Sequence, residues 1–160
     1  ANFNYNAFSV SLLAQAFIAT GEEKYREAAL DKFRVGVAPG QAANGRWIDP
    51  HNARTVYHVI IIRALGDLGA VVTGRDRVEV EAVAKPAIKA LLEEFDAMGI
   101  TVEALPELTS LLALDPDNAR LQVAQKNMAA SIVAKCTNGQ KVKMGAQPQQ
   151  LATVAKICGS

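Results

Sequence analysis

The sequence has no dominant charge, few aromatic residues and no apolar run long enough to enter a membrane. Its 17 Lys and Arg nearly balance 16 Asp and Glu, giving a net charge of +1, with neither a basic stripe nor an acidic block. Nucleic-acid and membrane-surface binding both need such a concentration of charge, so both are expected to be absent. The longest apolar stretches, such as residues 59–62, fall far short of a bilayer span. Only 6% of residues are aromatic, and Ala, Leu and Val carry an apolar content of 50%. That composition suits packed helices better than a β-sandwich. Cys136 and Cys158 match no zinc spacing and form no CxxC. Two readings of them stand: a disulfide closing the C-terminal loop of an exported protein, or two buried thiols. The first favours an extracytoplasmic location, and such a bridge typically contributes about 2–4 kcal/mol. No signal peptide is visible. The chain begins at Ala1, so it is read as processed or as part of a longer chain, which limits any statement on targeting. No phosphate loop, Ser-His-Asp arrangement or catalytic-cysteine context is present, and no cofactor or metal is implied.

What is there is helical grammar in 160 residues, enough for a single domain with a real core. Residues 3–19 read as a first helix, with Phe8, Leu12, Ala16 and Ile18 as its packing stripe and Leu13 and Phe17 widening it. Thr20-Gly21 closes it, Gly accepting the left-handed C-terminal position. Residues 22–34 form a second helix with Tyr25, Ala28, Ala29 and Phe33 on one face, antiparallel to the first. Residues 36–48 are a loop rich in Gly, Ala, Asn and Pro, longer than usual between packed helices, and such loops are often functional. Asp49 is expected to cap a third helix with Pro50 at its first position, running to about residue 72. Apolar on most sides, it reads as a central helix. A turn over 73–76 leads to a fourth helix, 77–98, with Ala84, Ile88, Leu91, Phe95 and Met98 as its seam; Pro86 predicts a kink or a later start near Lys85. Further helices are expected over 103–114, from 115–116 to about 135, and over 148–157. The loop 138–147 holds at most a short extended piece at 141–144. Residues 1–99 and 100–160 are candidate sub-units of the one domain.

One echo stands out. Asp49-Pro50-His51-Asn52-Ala53-Arg54 matches Asp115-Pro116-Asp117-Asn118-Ala119-Arg120 at every position but the third. Both are expected to be the same solution to starting a helix, with Asp as the cap and Pro presetting φ.

The segment LLAQAFIATGEEKYREAA (residues 12–29) resembles the helix–Thr-Gly–helix hairpins of (α/α) toroid proteins, with Gly21 at the turn. The segment GRWIDPHNARTVYHVIIIRALGDL (45–68) resembles a polar loop feeding the next inner helix of such a ring. The resemblance covers residues 3–98 and implies an all-α fold of antiparallel hairpins in an open or partial toroid, since a closed ring needs about twice as many helices. Toroid proteins include polysaccharide lyases, glycoside hydrolases, epimerases and terpene cyclases. The segment LALDPDNARLQVA (112–124) is similar to a tetratricopeptide-type helix junction, although the full motif is missing.

Within the toroid resemblance, the polar corner of residues 44–58 is the candidate site. It holds Asn44, Trp47, Asp49, His51, Asn52, Arg54, Tyr57 and His58, including the only Trp and both His. On a continuous helix His51, Arg54 and His58 would share a face. A uronate lyase needs a group to neutralise the sugar carboxylate and a His or Tyr to move the C5 proton. Asn52 and Arg54 could neutralise, His51, His58 or Tyr57 could transfer protons, and Asn44 and Trp47 would bind sugar, Trp47 by stacking. The order and spacing match no lyase motif. The plainer reading makes Trp47 a loop anchor, Asp49 a cap, His58 a satisfied core histidine and Tyr57 a packed ring. Glu93 and Glu94 read as solvated charges. Two functions follow: a glycan-handling domain, lyase- or hydrolase-like, or a non-catalytic helical module that binds a protein or its own copy.

Overall fold

The structure, a computed structural model, describes residues 2–105 and 108–137, which form six α-helices and, among themselves, no β-strand. The helices are α1 (Phe3–Thr20), α2 (Glu23–Gly36), α3 (Thr55–Val71), α4 (Gly74–Met98), α5 (Leu108–Leu114) and α6 (Ala119–Thr137). Short 3-10 turns at Ala38–Gly40 and Val102–Ala104 punctuate the connections. The helix expected over 148–157, the loop before it and Cys158 lie outside the described residues. No described helix is long and apolar enough to cross a membrane.

α1 and α2 form the expected antiparallel hairpin. Gly21 sits at φ 70°, and its N–H bonds Phe17 O, ending α1 in the left-handed conformation that Gly adopts without strain. The face of α1 is not the expected one. Phe3, Ala7, Val10 and Ala14 are buried, while Phe8, Leu12 and Ile18 are exposed. α1 is apolar nearly all round, so periodicity alone did not single out a face. The small residues Ala7 and Ala14 let the helix approach α2 and α3 closely.

α3 is the central helix, packed against α1, α2, α4 and α5. Ile61, Ile62, Ala64, Leu65 and Leu68 are buried around it. It begins at Thr55 rather than at Asp49-Pro50, which detaches His51 from the helix that was expected to carry it. α4 starts three residues earlier than its pattern suggested and runs unbroken through Pro86. Its seam of Ala84, Ile88, Leu91 and Phe95 is buried, but Met98 is exposed at the helix end. α5 contributes Leu108, Leu111 and Leu114, and α6 contributes Leu121 and Ala124, to the same core.

Candidate functional site

The long connection between α2 and α3 is a folded joint. Residues 40–48 double back as a small hairpin: Ala42 N–H bonds Arg46 O at 2.6 Å and Ile48 N–H bonds Gly40 O at 2.9 Å. Gln41 and Trp47 form its one bridge. At its tip the Asn44 side-chain oxygen accepts the Arg46 N–H at 3.0 Å, and Gly45 turns at φ 81°.

This joint docks on the middle of α4, around Pro86. Proline has no N–H to give the helix ladder, and contacts from outside bracket that interrupted turn. Gln41 Nε2 donates to Val83 O at 2.8 Å. Gly45 lies so close that a Cβ there would stand 2.2 Å from Pro86 O. His58 Nε2 lies 2.8 Å from Ala87 O, which fixes that nitrogen as the donor.

Trp47 is 2% exposed and His58 is fully buried. The indole Nε1 donates to Val37 O at 2.9 Å, and the two rings meet edge-on with centroids 5.5 Å apart. His58 Nδ1 is buried without a hydrogen-bond partner. Charging the ring would put a proton there with nothing to accept it. Burial first, then the nearby Arg46 cation, push its pKa down to about 4, against the opposing pull of Ala87 O and Glu94. His58 is therefore a neutral core residue at pH 7. Neither it nor Trp47 can reach a sugar, which corrects their expected catalytic and stacking positions.

Asn52 is also fully buried. Its Oδ1 accepts the backbone N–H of Asn4, in the first turn of α1, at 2.9 Å. The N-cap residue of α1, Asn2, makes no side-chain bond to that turn, so Asn52 acts as a cap delivered from 48 positions away. Asp49 does accept first-turn N–H groups, from His51 at 2.8 Å and Asn52 at 3.3 Å. These belong to a separate turn ahead of α3. The bond from His51, followed by those from Asn52, holds the Asp49 carboxyl below its ordinary pKa. In the second copy of the echo, Asn118 Oδ1 accepts Leu121 N–H at 3.2 Å and caps its own helix, α6. One motif thus does two jobs: local capping at Asn118 and long-range tying at Asn52.

Of the eight residues of the corner, His51, Arg54 and Tyr57 reach the surface within one short stretch of chain. Arg54 and His51 are exposed and Tyr57 is half-buried. The His51 and Tyr57 rings stack with centroids 4.1 Å apart and planes 30° apart. Because the helix starts at Thr55, His51, Arg54 and His58 do not share a helical face; His51 folds back over Tyr57 instead. Asn44, also exposed, lines a surface cavity of about 580 Å³ with Lys85, Lys89, Glu93, Asp115 and Asn118. Among the described residues, no aromatic side chain lines that cavity.

The pair that no linear pattern announced is Arg46 and Glu94. Arg46 Nη2 bonds Glu94 Oε2, Arg46 Nη1 donates to Ala53 O at 2.6 Å, and Thr55 Oγ1 donates to Glu94 Oε1 at 2.5 Å. Arg46 and Glu94 are 17% and 26% exposed. Glu94 is thus a partner in the joint, which corrects its reading as a solvated charge. Among the described residues, no group of three His, Cys, Asp or Glu side chains is placed to hold a metal ion. No protein-family model matches the chain, and no curated protein or solved structure shows significant similarity to it.

Proposed function

We propose that this chain is a non-catalytic helical module, an open stack or partial (α/α) toroid, that works by presenting a surface to a partner. The observation that supports this most directly is the fate of the 44–58 corner. Trp47, Asn52 and His58 are buried, and their polar atoms bond Val37, Asn4 and Ala87. A corner whose central groups are committed to holding α1, α3 and α4 together is a structural joint. The test is a screen of acidic polysaccharides, followed by the absorbance of unsaturated uronates. No turnover is expected. Turnover that is lost in His51→Ala and Tyr57→Phe would overturn this reading.

A second reading, acidic-glycan binding, is favoured by a different observation. The His51 and Tyr57 rings stack at the surface in the same stretch as exposed Arg54, and Lys85 and Lys89 line the cavity that Asn44 reaches. Under this reading, binding of an oligouronate measured by calorimetry drops at least tenfold in Arg54→Ala or Lys89→Ala. Absence of heat with the wild-type chain disposes of it.

A further inference from the structure

α1 is turned inside out for a helix at the surface. Three of its polar side chains are engaged with neighbouring helices. Asn6 Nδ2 donates to Gly36 O at 2.9 Å in α2. Ser11 and Gln15 both bond the Asp67 carboxylate in α3. Three large side chains face outward: Tyr5 is 64%, Phe8 52% and Leu12 71% exposed. Offsets of three and seven residues place these three on one face. The helix itself carries no charged residue over its 18 positions; the carboxylate bonded to it, Asp67 of α3, is half-buried and held by Ser11 and Gln15.

We propose that this face of α1 is the contact surface for a second copy of the same chain, joined about a two-fold axis. The proposal rests on the interaction-module reading and names its partner. Three features of α1 select a second copy. First, in a two-fold contact each residue near the axis meets its own counterpart, and any charge there would repel itself; α1 has none. A partner recognised by opposite charge gains nothing from such a face. Second, a helix that lies on a membrane carries Lys or Arg on its polar side. α1 has neither, and its polar side is bonded to α2 and α3. Third, the area is of the right order. The outward parts of Tyr5, Phe8 and Leu12 amount to roughly 350 Å² of mostly apolar surface. A standard interface buries about 800 Å² per partner, of which about 60% is apolar. The face supplies most of that apolar share, and Gln15, exposed and bonded to Asp67 at its edge, suits a polar rim.

The test is sedimentation velocity of the full chain from about 1 μM to about 1 mM, at low and high salt. A species of twice the chain's mass is expected to grow with concentration and to be insensitive to salt. Leu12→Lys and Phe8→Lys are expected to remove it while leaving the helical circular dichroism unchanged, since both positions are exposed. Val35→Lys, on α2 and 77% exposed, is the control and should leave the dimer intact. A wild-type chain that stays monomeric throughout, a dimer that survives Leu12→Lys, or one equally lost in Val35→Lys each overturns the proposal. Such a result with no polysaccharide turnover leaves the interaction-module reading standing, with a different partner; turnover would remove that reading independently.

Discussion

The side chain of Asn52 caps a helix to which it does not belong. Its Oδ1 takes the N–H of Asn4 at 2.9 Å, in a fully buried position, and so ties the start of α1 to the turn before α3. Losing it would leave a buried N–H without an acceptor, which typically costs about 1–3 kcal/mol. Asn118, its counterpart in the echo, accepts from the first turn of α6, donates its Nδ2 to the nearby Asp115 carboxylate at 2.9 Å, and is partly exposed. A local cap is worth about 1 kcal/mol. Asn52→Ala should therefore destabilise the chain by roughly twice as much as Asn118→Ala, read from urea midpoints at constant slope. Equal effects would mean that the tie to α1 contributes nothing beyond an ordinary cap.

His58 should make stability depend on pH in a defined window. Above its ordinary pKa of 6.5 the imidazole is neutral in both the folded and the unfolded chain, and it contributes no slope. As pH falls through 6.5 the unfolded chain takes up a proton, while the folded chain resists until about pH 4. Stability is thus fully present above 6.5 and lost on the way down, by about 2 kcal/mol between pH 6.5 and pH 5 at about 1.4 kcal/mol per pH unit. His58→Gln should flatten that slope. The comparison is best kept above pH 5, because Asp49 and Glu103, whose pKa values lie below 3.8 and 4.5, titrate lower. An unchanged slope in the variant would assign the window to another group.

Gly45 is held at φ 81° with its α-carbon against the α4 backbone. An added methyl meets Pro86 O at 2.2 Å, and that oxygen belongs to a helix that cannot give way cheaply. The left-handed backbone adds its own cost. Gly45→Ala should lower stability by roughly 2–4 kcal/mol. By contrast, Gly21→Ala should cost only about 1 kcal/mol, because a Cβ there meets no atom within 4 Å. Thermal melts of the two variants separate close approach from backbone preference.

Arg46 and Glu94 should behave as one unit. Among the described residues, Arg46→Ala leaves Glu94 bonded to Thr55, and Glu94→Ala leaves the guanidinium on Ala53 O. Each single change should cost about 1–3 kcal/mol. The double variant should cost clearly less than the sum, giving a coupling of about 1 kcal/mol or more. Additive effects would show that the pair is screened by water and holds nothing.

The all-α class, the Gly21 hairpin, the central place of α3 and the seam of α4 were legible in the linear pattern. Each rests on local physics: periodicity of apolar residues, a left-handed glycine, and the length of an apolar run. The polar corner was legible as unusual, for it gathers Trp47, His51, Asn52, Tyr57 and His58 within twelve residues. Its roles were not. Composition says that a histidine lies near an arginine in sequence. It does not say that His58 turns inward to Ala87 O while His51 turns outward over Tyr57, because that depends on where α3 starts and on what α4 presents to it.

The two DPxNAR segments make the division concrete. Identical residues at five of six positions determined that each segment would turn the chain and precede a helix, since Asp, Pro and Asn bond or preset their own backbone. Only the tertiary structure decided that Asn118 would serve its own helix and Asn52 a distant one, since that requires the α1 terminus to be packed alongside. The same holds for α1 itself. Its sequence determined a helix apolar on nearly every side and free of charge. The packing of Ala7 and Ala14 against α2 and α3 decided which side would be buried, and so left Tyr5, Phe8 and Leu12 facing out.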